Sequence, residues 1–116
     1  LALKLMISVY GYGSYFKGSS QYKDIDILIT HISTDYNSCL EVIALKKSIV
    51  NEIEGADVTI LSCVAESEFN FIQQSRAILL SEFLQNTNNR ILTELFDKVR
   101  GYKNITRHLN GTKTVG

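Results

Sequence analysis

"GYGSYFKGSSQYKDIDILIT", residues 11–30, runs from a glycine-serine turn into an alternating stretch that carries Asp24 and Asp26. Strand side chains alternate between faces, so Asp24 and Asp26 share one face and Ile25 and Ile27 the other. Aspartate is depleted in strands, and two like charges on one face repel unless something positive lies between them. The pattern asks for a cation and predicts a strand over 23–30. The preceding strand is read over 3–11, "LKLMISVYG", mostly buried and ended by Gly11.

Further along, "CLEVIALKKSIVNEIE" reads as a helix. Ser38 and Glu41 stand at capping-box spacing ahead of it. Val42, Leu45, Ile49 and Ile53 form its apolar stripe, and Gly55 supplies a left-handed stop. Leu40, Ile43, Lys47, Val50 and Glu54 make a second set that is not a clean stripe. "ADVTILSCV" (56–64) is a third strand, opened by Asp57. "ESEFNFIQQSRAILLSEFL" (66–84) places Phe69, Ile72, Arg76, Leu79, Leu80 and Phe83 near one helical face. "NTNN" (86–89) breaks that helix and caps the next, 90–100, whose stripe is Ile91, Leu92, Leu95, Phe96 and Val99. Gly101 is expected to end it, leaving 101–116 as a polar, frayed tail.

The order is therefore strand, strand, helix, strand, helix, helix. It predicts an α/β (α+β) domain, a small mixed sheet with helices packed on one side. At 116 residues the chain is one domain, 1–116, with its core in about 3–100. Twelve Lys and Arg balance twelve Asp and Glu, so no global field draws nucleic acid, and a dedicated nucleic-acid binder is not expected. No stretch approaches the ~20 apolar residues of a membrane span. Cys39 and Cys63 are too few and too far apart for a zinc site or a disulfide framework, and fit small buried residues in a reducing cytosol.

Two phosphate-loop patterns fail on spacing. The dinucleotide pattern needs a third glycine where Phe16 stands. The P-loop pattern has its glycines at Gly13 and Gly18 but Ser19 in place of lysine, and a strand follows instead of a helix. What remains is Gly13-Ser14, nine intervening residues, Asp24-Ile25-Asp26, and a third carboxylate, Asp57, on a later strand. This constellation resembles the nucleotidyltransferase superfamily of DNA polymerase beta and kanamycin nucleotidyltransferase. It is closest to the minimal single-domain members, some of which act as antitoxins beside a helical HEPN-domain protein. The resemblance covers about residues 3 to 85, and "FNFIQQSRAILL" looks like the helix that follows the third strand in those members. The spacer is one residue shorter than is commonest there, and the family's usual helix before the first strand is not visible.

The resemblance implies a transferase that moves a nucleoside monophosphate, AMP from ATP or another NTP, to a hydroxyl and releases pyrophosphate. Asp24, Asp26 and Asp57 would be catalytic residues and ligands to two Mg²⁺ ions. Such a site suits hard oxygen donors, and two ions ~3.5–4 Å apart stabilise both the attacking and the leaving oxygen. Gly13 and Ser14 would face the β- and γ-phosphates. Arg76, interrupting an apolar helix face, is a third candidate for binding nucleotide. Lys17 and Lys23 flank the turn; Tyr10, Tyr12 and Tyr15 are expected to pack around it, with one free to stack on a base. His31 and His108 read as loop residues. The chain is small for such an enzyme, so its acceptor site is expected to be shared with a HEPN-like protein or a second copy. A contact-only antitoxin module and a small-molecule (antibiotic) nucleotidyltransferase are the alternatives.

Overall fold

The structure, a computed structural model, describes the backbone of residues 5–115 and the side chains of residues 5–102. The expected strand start at residue 3 and the side chain of His108 lie outside the described residues. Four strands, β1 (Met6–Tyr12), β2 (Ile25–His31), β3 (Ala56–Ser62) and β4 (Ile78–Leu84), form one mixed sheet in the order β3-β2-β1-β4. β2 and β3 are parallel, and β1 is antiparallel to both β2 and β4. The predicted mixed sheet is what the chain adopts.

One face of the sheet carries the core. Ile25, Ile27 and Ile29 of β2 meet Val9 of β1, Val58 of β3 and the stripe Val42, Leu45, Ile49 of α2 (Tyr36–Glu52). Leu95, Phe96 and Val99 of α5 (Asn89–Val115) close the same layer. The α2 stripe read from periodicity is therefore buried, and in α5 Leu95, Phe96 and Val99 are buried with Ile91 and Leu92 partly so. Gly55, at φ 83°, ends the α2 segment in the left-handed region as its position predicts.

α2 is capped by Asp35 instead of Ser38: the Asp35 carboxylate accepts from the Ser38 backbone N–H at 2.8 Å. Ser38 is buried and donates to Gln85 at 3.0 Å, while Glu41 accepts from the backbone N–H groups of Asn86 and Thr87. The capping-box pair thus ties α2 to the loop before α5. His31 ends β2, buried, with Nδ1 2.9 Å from the Ser33 carbonyl, so it belongs to the strand and not the loop.

The largest departure lies in 66–84. In place of one helix the chain forms α3 (Cys63–Phe69), α4 (Phe71–Ser75) and the strand β4. Asn70 and Arg76 sit at φ 54° and 57°, left-handed breaks that a continuous helix cannot contain. The cause is long-range. Without β4, β1 would be an edge strand with a row of unpaired N–H and C=O groups. Pairing from Met6↔Leu84 to Gly11↔Ile78 satisfies them. The register shifts between Val9 and Tyr10, a bulge that turns Leu80 into the core at 4% exposure.

α5 also runs past Gly101, which is not among the positive-φ glycines, so the helix does not stop there. Between β1 and β2, the short helix α1 (Gly13–Phe16) buries Tyr15 and Phe16; the Tyr15 hydroxyl donates to the Val99 carbonyl at 2.5 Å. That bond fixes the turn against α5. α3 and α4 lie beside the opposite face of the sheet, where Phe71 meets Tyr12 edge-on at 5.0 Å between ring centroids.

Candidate metal centre

The strand directions bring the C-terminal end of β1 and the N-terminal ends of β2, β3 and β4 to one edge of the sheet. The register pairs Asp26 with Tyr12 on one side and with Asp57 on the other. Cross-strand partners share a face, so the parallel pairing sets the Asp26 and Asp57 side chains next to each other. Asp24, inside the strand that the sequence predicts from residue 23, lies one residue before the start of β2 at Ile25 and still belongs to this group. One carboxylate oxygen from each of Asp24, Asp26 and Asp57 lies within 4.8 Å of the others. Asp26 is half-buried; Asp24 and Asp57 are exposed.

This is an arrangement that can hold a metal ion. Its electrostatics are those of a site short of positive charge: burial, then the nearby Asp57 and Asp24, push the Asp26 carboxyl above its ordinary range. All donors are carboxylate oxygens, the hard type that Mg²⁺ and Ca²⁺ take. Neither cysteine belongs to the site. Burial raises the Cys63 thiol, and a hydrogen bond with Thr30 partly offsets the rise.

Gly13, at φ 80°, sits directly on the Asp26 carboxylate: a Cβ there would collide with Oδ2. The turn and Asp26 are therefore in close contact, which the sequence suggests only through spacing. Ser14 is the next residue and is exposed beside them. Tyr12, immediately before, forms a wall on the aspartate side of the sheet. Burial pushes its hydroxyl up; a hydrogen bond with Thr59 works the other way, and Asp26 and Asp57 add to the rise.

Arg76 is not on a helix face. It is the left-handed residue that closes α4, exposed, two positions before β4 begins. Because Gly11 pairs with Ile78, this brings Arg76 to the same sheet edge as Gly13, two strands from Asp26. At the usual strand spacing the backbone of Arg76 is on the order of 10 Å from that of Asp26. Lys17 and Lys23 are exposed on either side of the turn. Tyr15 faces the core and is removed from the site. Phe71, behind Tyr12, carries no signal in the sequence, because its neighbourhood depends on how α4 folds back.

Compared with protein-family models, with curated proteins and with solved structures, the chain matches none.

Proposed function

We propose that this protein is a cytoplasmic, Mg²⁺-dependent nucleotidyltransferase of the minimal kind, moving AMP from ATP to a hydroxyl on a partner protein of the HEPN type. The observation that supports this most is the convergence of Asp24, Asp26 and Asp57 within 4.8 Å on the edge where Gly13 touches Asp26. The residues present fit the cation: three oxygen donors converge, and the raised Asp26 carboxyl is relieved by a positive charge among them. Bound there, Mg²⁺ would supply charge stabilisation at the α-phosphorus and at the oxygens exchanged there.

The chain's own contributions follow from position. Asp24 and Asp26 would hold the cation, while Asp57, exposed on the next strand, would help to hold it, orient the acceptor hydroxyl and take its proton. Gly13 and Ser14 offer a backbone N–H and a hydroxyl to the distal phosphates without a Cβ in the way. Arg76, across the sheet edge, brings a permanent positive charge to the phosphates. Tyr12 and Phe71 give the aspartate face an apolar wall that excludes water from one side.

The test is titration of a non-hydrolysable ATP analogue with and without Mg²⁺, beside the double variant Asp24→Asn/Asp26→Asn. Magnesium-dependent binding that disappears in a folded double variant supports the reading. Binding that is indifferent to magnesium, or that the double variant retains, overturns it. Binding without AMP transfer to a HEPN-type partner favours the contact-only module.

A further inference from the structure

Of the three carboxylates, Asp26 is the one whose direction the fold restrains. Asp24 and Asp57 are exposed, whereas Asp26 is half-buried. Its side chain lies along the Gly13 backbone: a Cβ there would meet Oδ2 and come within 3.3 Å of Cγ and 3.5 Å of the Asp26 Cβ. Its neighbour on β1 is Tyr12, the cross-strand partner of Asp26 and the residue just before Gly13. Cross-strand partners share a face, with Cβ atoms about 4.5–5.5 Å apart. The two residues that confine Asp26 are thus consecutive in the chain.

Tyr12 is itself held by an element outside the sheet. Phe71, half-buried at the start of α4, meets its ring edge-on, with centroids 5.0 Å apart and planes at 86°. α4 is tied down in turn. The Ile72 backbone N–H donates to the Glu66 carboxylate of α3 at 2.9 Å, and the Ala77 N–H donates to the Ile72 carbonyl at 3.0 Å.

We infer that Phe71 is a positioning residue of the aspartate site: by holding the Tyr12 ring it fixes the seat of Asp26, and so makes the site select Mg²⁺ over Ca²⁺. The inference rests on the reading of Asp24, Asp26 and Asp57 as metal ligands. Ion size supplies the reason. Mg²⁺ demands near-ideal octahedral geometry at about 2.0–2.1 Å, whereas Ca²⁺ accepts flexible arrangements of oxygens at about 2.3–2.6 Å. A carboxylate of fixed direction serves the first ion, and one free to swing still serves the second. Without the Phe71 ring, Tyr12 gains room beside Asp26, and the carboxylate gains rotation about its broad terminal torsion.

The experiment titrates Mg²⁺ and Ca²⁺ separately into the whole metal-free chain by calorimetry. Phe71→Leu is expected to lower Mg²⁺ affinity about tenfold, the usual effect of losing a group that orients a ligand, and Ca²⁺ affinity by less than about threefold. Phe71→Tyr, which keeps the ring, should retain the parent preference. Tyr12→Leu should reproduce the loss, and the Tyr12→Leu/Phe71→Leu double variant should lose no more than either single variant. Melts in chelator, followed by circular dichroism, check that each variant is folded. Equal loss of both ions, unchanged Mg²⁺ affinity in Phe71→Leu, or additive losses in the double variant overturns this inference alone. A parent that binds Mg²⁺ no better than Asp24→Asn/Asp26→Asn overturns the metal site, and this inference with it.

Discussion

Gly13 lies against the Asp26 carboxylate in a backbone conformation, φ 80°, that side chains rarely adopt. Gly55 has nearly the same φ, 83°, yet a Cβ there meets nothing within 4 Å. The pair separates backbone strain from steric conflict. Gly55→Ala is expected to cost about 1–2 kcal/mol, the left-handed penalty alone. Gly13→Ala should cost more, about 2–4 kcal/mol, because it also displaces Asp26. Chemical denaturation of the two variants checks this; equal losses would show that Asp26 moves aside freely.

The acid cluster makes stability pH-dependent in a definite direction. The folded state holds the Asp26 carboxyl above the ordinary 3.8, so it binds more protons there than the unfolded chain does. The Asp26 contribution to the stability of the metal-free protein therefore falls as pH rises from about 3.8 through the raised value, and the penalty is complete above it. Asp26→Asn should abolish this dependence and, in chelator at neutral pH, stabilise the protein. Added Mg²⁺ should stabilise the parent protein and leave the variant unchanged. Thermal melts of the parent and Asp26→Asn proteins across pH, with and without chelator, provide the measurement; a parent protein that gains stability relative to the variant over the same rise would contradict the argument.

Arg76 sits at φ 57°, where a non-glycine residue is strained. Arg76→Gly is expected to raise stability by up to about 1 kcal/mol while removing a charge from the edge that holds the aspartates. If Arg76 serves nucleotide binding, the same variant weakens binding of the ATP analogue as it stabilises the fold. A calorimetric melt beside a binding titration reads both, and unchanged binding would leave Arg76 without that role.

The Tyr15 hydroxyl reaches across the chain to the Val99 carbonyl. Tyr15→Phe removes only that oxygen, and should cost about 1 kcal/mol, the net worth of one intramolecular hydrogen bond. Because the bond anchors α1 to α5, hydrogen exchange should also speed up at Tyr15 to Gly18. Exchange that accelerates uniformly over the molecule would mean a global loss of stability only.

Leu80 is the core residue of the β4 bulge at 4% exposure. Leu80→Ala should cost about 2–5 kcal/mol, whereas Leu79→Ala, half-exposed at 45% on the other face, should cost under about 1 kcal/mol. Similar losses would argue against the register shift that distinguishes them.

Local chemistry made much of this molecule legible in one dimension. The 3.6-residue stripe of Val42, Leu45 and Ile49, the alternation around Asp26 and the left-handed stop at Gly55 each depend on neighbours a few residues away, and each appears where it was read. Residues 66–84 show the limit. Leu79, Leu80 and Phe83 fit a helical stripe as well as a bulged strand, and short apolar runs do not distinguish the two by period. The choice rests on β1, some seventy residues earlier, whose unpaired edge gains more from β4 than the segment gains as a helix. The candidate site divides in the same way. Its aspartates and its glycine are recognisable by type and spacing, because glycine tolerates φ above zero and repelling carboxylates are out of place in a strand. That Asp57 stands opposite Asp26, that Gly13 presses on Asp26, and that Arg76 arrives at the same edge were decided only by strand register, which is set by the packing of the whole sheet.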